Sequence, residues 1–200
     1  MIKKSIELSG RTLTLETGRL AKQAGGSVLV TYGETVVLVA STASQGIDEY
    51  RGFFPLTVDY REKFYASGKI PGGFFRREAR PSEQEIIGAR LTDRPLRPLF
   101  PDGFYNETHI FINVLSFDGE NNGNILGTLG ASASLAISDI PWDGPVASIT
   151  VGRISGELII NPTNTQLEES DLEIIISGTK ESVVMVEGEA KFISEEDFLT

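Results

Sequence analysis

The sequence contains no cysteine and one histidine, His109. The first absence removes disulfides, thiolate metal sites and cysteine nucleophiles. The second nearly excludes a Ser-His-Asp triad or a multi-histidine metal site, since both rest on imidazole. No stretch reaches the about 18 consecutive apolar residues of a membrane span. The opening Met1-Ile2-Lys3-Lys4-Ser5-Ile6-Glu7 turns polar too soon for a signal peptide. The expectation is a cytoplasmic protein with no membrane partner.

Positive charge is scarce too, but unevenly so. The 200 residues carry a net charge of −10. Residues 1–97 hold 15 Lys+Arg against 11 Asp+Glu, whereas residues 98–200 hold 3 against 17. Local field, not net charge, decides where an anion docks. The first half therefore stays open to nucleic acid, and the acidic half reads mostly as solvated surface. The length suits one domain or two small ones and buries a core without staples. The pattern below is read as a single domain, 1–200.

Strand patterns come first. Ser5–Leu8 and Thr12–Glu16 flank Ser9-Gly10-Arg11, and Ser27–Tyr32 and Thr35–Ala40 flank the two-residue turn Gly33-Glu34. The run Thr35–Ala40 is apolar nearly throughout, which predicts a strand buried on both faces. Leu56–Arg61 and Thr108–Phe117 read as further strands. Between these two, Ser82-Glu83-Gln84-Glu85 forms a capping box after Pro81, and Pro95 and Pro98 limit the helix it opens. Gly123–Ser138, rich in glycine and alanine, reads as a helix that packs very close to a sheet. Ala147–Ile154, Glu157–Ile160, Asp171–Ser177 and Val183–Glu187 add four strands. Ser194-Glu195-Glu196-Asp197 resembles a helix start with acids in its first turn, so the parent chain is expected to continue past Thr200. Many strands with few helices indicate an α+β fold: a mixed sheet layered with few helices.

The chemical signal is Gly72-Gly73-Phe74-Phe75-Arg76-Arg77-Glu78-Ala79-Arg80-Pro81. Single-stranded nucleic acid needs flat faces for stacking and guanidinium forks for phosphates, and this loop supplies both. The following helix adds Arg90, Arg94 and Arg97, so six of the eleven arginines fall between Arg76 and Arg97. Arg94 and Arg97 are candidate secondary phosphate contacts. The competing reading is an internal salt-bridge network with Glu78, Glu83, Glu85 and Asp93. Weaker candidates are Asn121-Asn122-Gly123-Asn124, a helix start that could hold phosphate, and Asp171-Leu172-Glu173, two carboxylates that could hold a hard cation.

Three strings carry a resemblance: Phe74-Phe75-Arg76-Arg77-Glu78, Arg80-Pro81-Ser82-Glu83, and Leu91-Thr92-Asp93-Arg94-Pro95-Leu96-Arg97-Pro98-Leu99-Phe100-Pro101. They resemble the first RNase PH-like core domain of the polynucleotide phosphorylase family. The likeness extends through Gly130-Ala131-Ser132 and Ile140-Pro141 to Val186-Glu187-Gly188. It implies RNase PH-like β-α-β layers and a 3′-to-5′ exoribonuclease that uses inorganic phosphate and releases nucleoside diphosphates, with the reverse polymerisation. It further implies Mg²⁺ in the full enzyme, a homotrimeric ring, single-stranded RNA as substrate, and nuclease or helicase partners. By match, Phe74, Phe75, Arg76, Arg77 and Arg80 lead RNA toward the active site.

Two departures bear on chemistry. The family's second core shows Gly-Ser-Ser before its helix, and the comparable place here reads Gly123-Asn124-Ile125. That core also shows Asp-x-Lys, and Asp171-Leu172-Glu173 here has an acid in the lysine's place. An acid there repels phosphate. No catalytic residue and no metal ligand is therefore expected in this chain, which should be inactive alone. The alternatives are a structural oligomerisation domain, or a domain that binds a small anion or metabolite without RNA.

Overall fold

The computed structural model describes residues 1–200 apart from Ile47, Asp48, Tyr50, Arg51, Phe75, Ala79, Leu199 and Thr200, with Asp197 and Phe198 described by backbone only. Two hairpins begin the chain. β1 (Ile2–Leu8) and β2 (Arg11–Thr17) meet across Ser9-Gly10, whose φ values of 49° and 73° suit a tight turn between twisted strands. β3 (Gly26–Tyr32) and β4 (Thr35–Ala43) meet across Gly33-Glu34, as the turn residues predict. β5 (Leu56–Glu62) and β6 (Thr108–Ser116) complete a six-stranded sheet in the order β1-β2-β3-β4-β6-β5. Only the β5–β6 pairing is parallel, so the sheet is mixed.

A second sheet is antiparallel throughout. It comprises β7 (Ala147–Ile154), β8 (Glu157–Ile160), β9 (Leu172–Gly178) and β10 (Val183–Ala190), in the order β10-β9-β7-β8. The helices are α1 (Glu83–Leu96), α2 (Gly123–Ala136), α3 (Asn164–Glu169) and α4 (Glu195–Phe198). α1 lies on β5. α2 lies on β3 and β4 and reaches β7 of the second sheet. This is the α+β arrangement that the element pattern indicates.

The core forms where α2 meets the first sheet. Val28, Val30, Val37, Val39, Ile110, Ile112 and Val114 point to that side and are buried. The small residues of α2 let it approach closely. A Cβ on Gly130 would stand 2.5 Å from Val39 Cγ2 and 2.9 Å from Val30 Cγ2, so only glycine fits.

Three details depart from the sequence reading. β4 alternates between buried and half-buried residues instead of being buried on both faces, because the chain's helices cover only one side of it. α1 runs through Pro95 to Leu96. A proline in the last turn removes one helical hydrogen bond near an end that fades anyway, and the Arg97 N–H still reaches Asp93 C=O. α3 was not anticipated, although Thr163 and Gln166 form its capping box.

Candidate nucleic-acid interface

The segment between β5 and α1 begins as a turn of 3-10 helix, Phe64–Ser67, and stops at Gly68, whose φ is 67°. Its neck is held by one side chain. Glu85 Oε1 accepts from the Glu62 N–H at 3.0 Å, and Glu85 Oε2 accepts from the Ser82 N–H at 2.7 Å. Ser82 Oγ in return accepts from the Glu85 N–H at 3.2 Å, which completes the capping box. The carboxylate that starts the helix thus also clasps the point where the chain leaves the sheet.

The tip carries the predicted residues. Phe74 is 95% exposed. Phe75 lies outside the described residues. Arg76 donates its N–H to Gly73 C=O at 2.9 Å and has a φ of 48°. Arg76, Arg77 and Arg80 are exposed, and no salt bridge joins any of them to a described residue. The nearby carboxylates are occupied elsewhere. Glu78 accepts from Lys63 Nζ at 2.7 Å, and that hydrogen bond holds its carboxyl below the usual range. Glu85 serves the neck, with Arg61 3.9 Å away. Asp93 takes Arg97.

Arg77 and Arg80 line an open cleft of about 430 Å³. Arg61, Lys63 and Lys69 also line it, against Glu62, Glu78 and Glu85. The cleft is therefore cationic inside a chain that is strongly anionic. Arg61, Lys63 and Lys69 were not picked out from the sequence. The signal was their position just before the arginine loop, which folds back over them.

The α1 arginines divide. Arg97 donates to Asp93 at 2.6 and 2.9 Å, to Phe54 C=O at 2.9 Å and to Leu56 C=O at 3.1 Å. Its guanidinium ties the end of α1 to the start of β5. Arg94 pairs with Glu187 of β10 across an exposed gap. Arg90 is exposed and lines grooves on two sides of α1.

The weaker candidates hold themselves together. Asn122 caps α2 by accepting from the Asn124 N–H at 2.8 Å, and Asn121 is buried against Arg11 and Asp118. Asp171 accepts twice from Arg153, at 2.9 and 2.8 Å, which keeps its carboxyl below the ordinary range. Burial pushes Glu173 up, assisted by Glu189 across the strand pair. A divalent cation does not fit this donor set, because one carboxylate already faces a guanidinium. No group of three such ligands occurs among the described residues.

Comparison with known proteins agrees with this anatomy. The description "3' exoribonuclease family, domain 1" matches residues 9–141, and "3' exoribonuclease family, domain 2" matches residues 144–200. The division falls where the chain passes from the first sheet to the second. The polyribonucleotide nucleotidyltransferase of Thermomicrobium roseum is 57% identical over 98% of the chain, which covers 25% of that relative. Those of Geotalea uraniireducens and Heliobacterium modesticaldum are 54% and 55% identical over 98% of the chain, covering 28% of each. The chain thus spans about a quarter of the length of these curated relatives. Among solved structures, rice (Oryza sativa) Rrp46 superposes with a TM-score of 0.74 over 94% of this chain and 84% of that one, at 16% identity. That likeness concerns the fold alone. Both family descriptions together span nearly the whole sequence, and the chain belongs to the 3′ exoribonuclease family.

Proposed function

We propose that this chain is the RNA-guiding first core domain of a phosphate-dependent 3′-to-5′ exoribonuclease, a polyribonucleotide nucleotidyltransferase. The observation that carries the reading is the set of loop arginines without salt bridges beside an exposed phenylalanine and a cationic cleft. Guanidinium forks suit phosphates, and an exposed ring suits a base. Carboxylates that could have neutralised Arg76, Arg77 and Arg80 are engaged by Lys63, Arg97 and the loop neck.

Bond cleavage is assigned to a second core outside these residues. Phosphate itself would be the nucleophile, so positioning and charge stabilisation are what the protein must supply. Here Glu173 stands where a lysine would help, and Asp171 is already paired. Mg²⁺ and inorganic phosphate belong to the other core in this reading. A homotrimer, a role in mRNA degradation and RNA processing in the cytoplasm, and partner nucleases or helicases follow from the same family reading, as does the single-domain organisation of 1–200.

The test is fluorescence anisotropy with labelled oligoadenylate at several salt concentrations. Binding should weaken with salt and fall by at least an order of magnitude in Arg76→Ala/Arg77→Ala/Arg80→Ala. Equal binding by wild type and variant would sink the assignment. Separately, the chain incubated with poly(A) and phosphate should release no nucleoside diphosphate. Release at rates near those of an intact enzyme would place the chemistry here after all.

A further inference from the structure

β5 is an edge strand, paired with β6 and with no strand on its other side. Successive residues of a strand turn their N–H and C=O groups to opposite edges. Odd-numbered residues face β6 here: Pro55 C=O accepts from the Thr108 N–H at 3.0 Å, and the Lys63 N–H donates to Val114 C=O at 3.3 Å. Even-numbered residues face outward. Two of their groups are capped from α1. Arg97 donates to Leu56 C=O at 3.1 Å, and Glu85 accepts from the Glu62 N–H at 3.0 Å. Between the caps, the outward N–H and C=O groups of Val58 and Tyr60 have no partner among the described residues.

A groove of about 350 Å³ follows this stretch, with α1 as its second wall. Ile86 and Ala89 give that wall an apolar surface, and Ile86 is 49% exposed. The other edges are guarded differently. β1 carries Lys3, Lys4 and Glu7, β10 carries Glu187 and Glu189, and β8 is four residues long. Charge and shortness are devices that discourage pairing, and the middle of β5 has neither.

We propose that the groove between β5 and α1 docks an extended peptide segment, which adds a strand to the sheet. Two free N–H and two free C=O groups in one row call for a backbone, not for a compact anion. One apolar side chain of the peptide would rest on Ile86 and Ala89. Asp59, Glu85 and Asp93 line the groove against Arg90, so the segment should carry a lysine or arginine. The same acidic balance disfavours RNA at this place and separates the groove from the cationic cleft.

The experiment selects short random peptides displayed on phage against the chain, then synthesises those enriched. Enriched peptides should alternate apolar residues with a basic one. They should slow amide exchange at Val58 and Tyr60. N-methylation of every second residue should weaken them about tenfold or more, since it deletes the donors that face β5. Ile86→Arg, at an exposed site, should weaken them to a similar extent without altering the thermal midpoint. The proposal is overturned if no enriched peptide protects those two amides, or if the N-methylated forms bind equally well. It is also overturned if oligoadenylate protects Val58 and Tyr60 and displaces the peptide, which would make the groove part of an RNA path.

Discussion

Arg97 separates two uses of one residue type. Its donors are spent on a carboxylate and two main-chain carbonyls, and the guanidinium lies 5.7 Å from the Phe54 ring centroid. Arg97→Ala should therefore cost about 2 kcal/mol in urea unfolding, because hydrogen bonds to a charged group are the stronger kind, and should leave RNA affinity unchanged. Asp118 is a second structural residue. It accepts from the N–H groups of Glu120 and Asn121 at 2.8 Å each and from the Glu34 N–H at 3.1 Å. Burial raises its carboxyl, but these bonds outweigh that effect and bring it down to about 2. A depressed carboxylate stabilises the fold above its unfolded value near 4 and loses that contribution as pH falls toward 2. Asp118→Asn should lower stability at neutral pH by about 1 kcal/mol, allowing for solvent screening, and should flatten the acid limb of a stability–pH curve between about 4 and 2. At this scale the sequence was only partly legible. The loop arginines declared themselves through flanking glycines and prolines. The role of Arg97 depended on carbonyls more than 40 positions upstream, which no local pattern reveals.

Elements were more legible, because periodicity is a local property. The Gly33-Glu34 turn, the Ser82 cap and the small-residue helix all follow from short strings. What escaped was set by neighbours in space. Whether β4 is covered on one face or two depends on which helices return to it. Lys63 and Lys69 became cleft residues only because the arginine loop folds back on them. α3 is different, since its Thr163–Gln166 box was present and passed over. The packing reading of the α2 glycines yields a further prediction. Alanine is the better helix former by about 1 kcal/mol, yet Gly130→Ala should destabilise by about 1–3 kcal/mol, because the added methyl must displace Val39 and Val30. Differential scanning calorimetry should show a lower midpoint, and a rise would refute the close-packing account.

Over the whole molecule, charge is sorted by place. A net charge of −10 coexists with a cationic cleft at one loop, so oligonucleotides should be attracted to one region and repelled by most others. For single strands, each phosphate neutralised contributes about −0.7 to the slope of log K against log salt. Removing Arg76, Arg77 and Arg80 together should flatten that slope by about 2, whereas Arg94→Ala should barely change it. Equal flattening by both would mean that the nucleic acid runs along α1. The clasp made by Glu85 has a consequence of its own. It joins Glu62 to Ser82, so the loop's two ends meet without help from its tip. The entropy of closing such a loop grows only with the logarithm of its length. The arginine loop is thus a detachable cassette: residues can be gained, lost or exchanged beyond the clasp while the sheet and α1 keep their register.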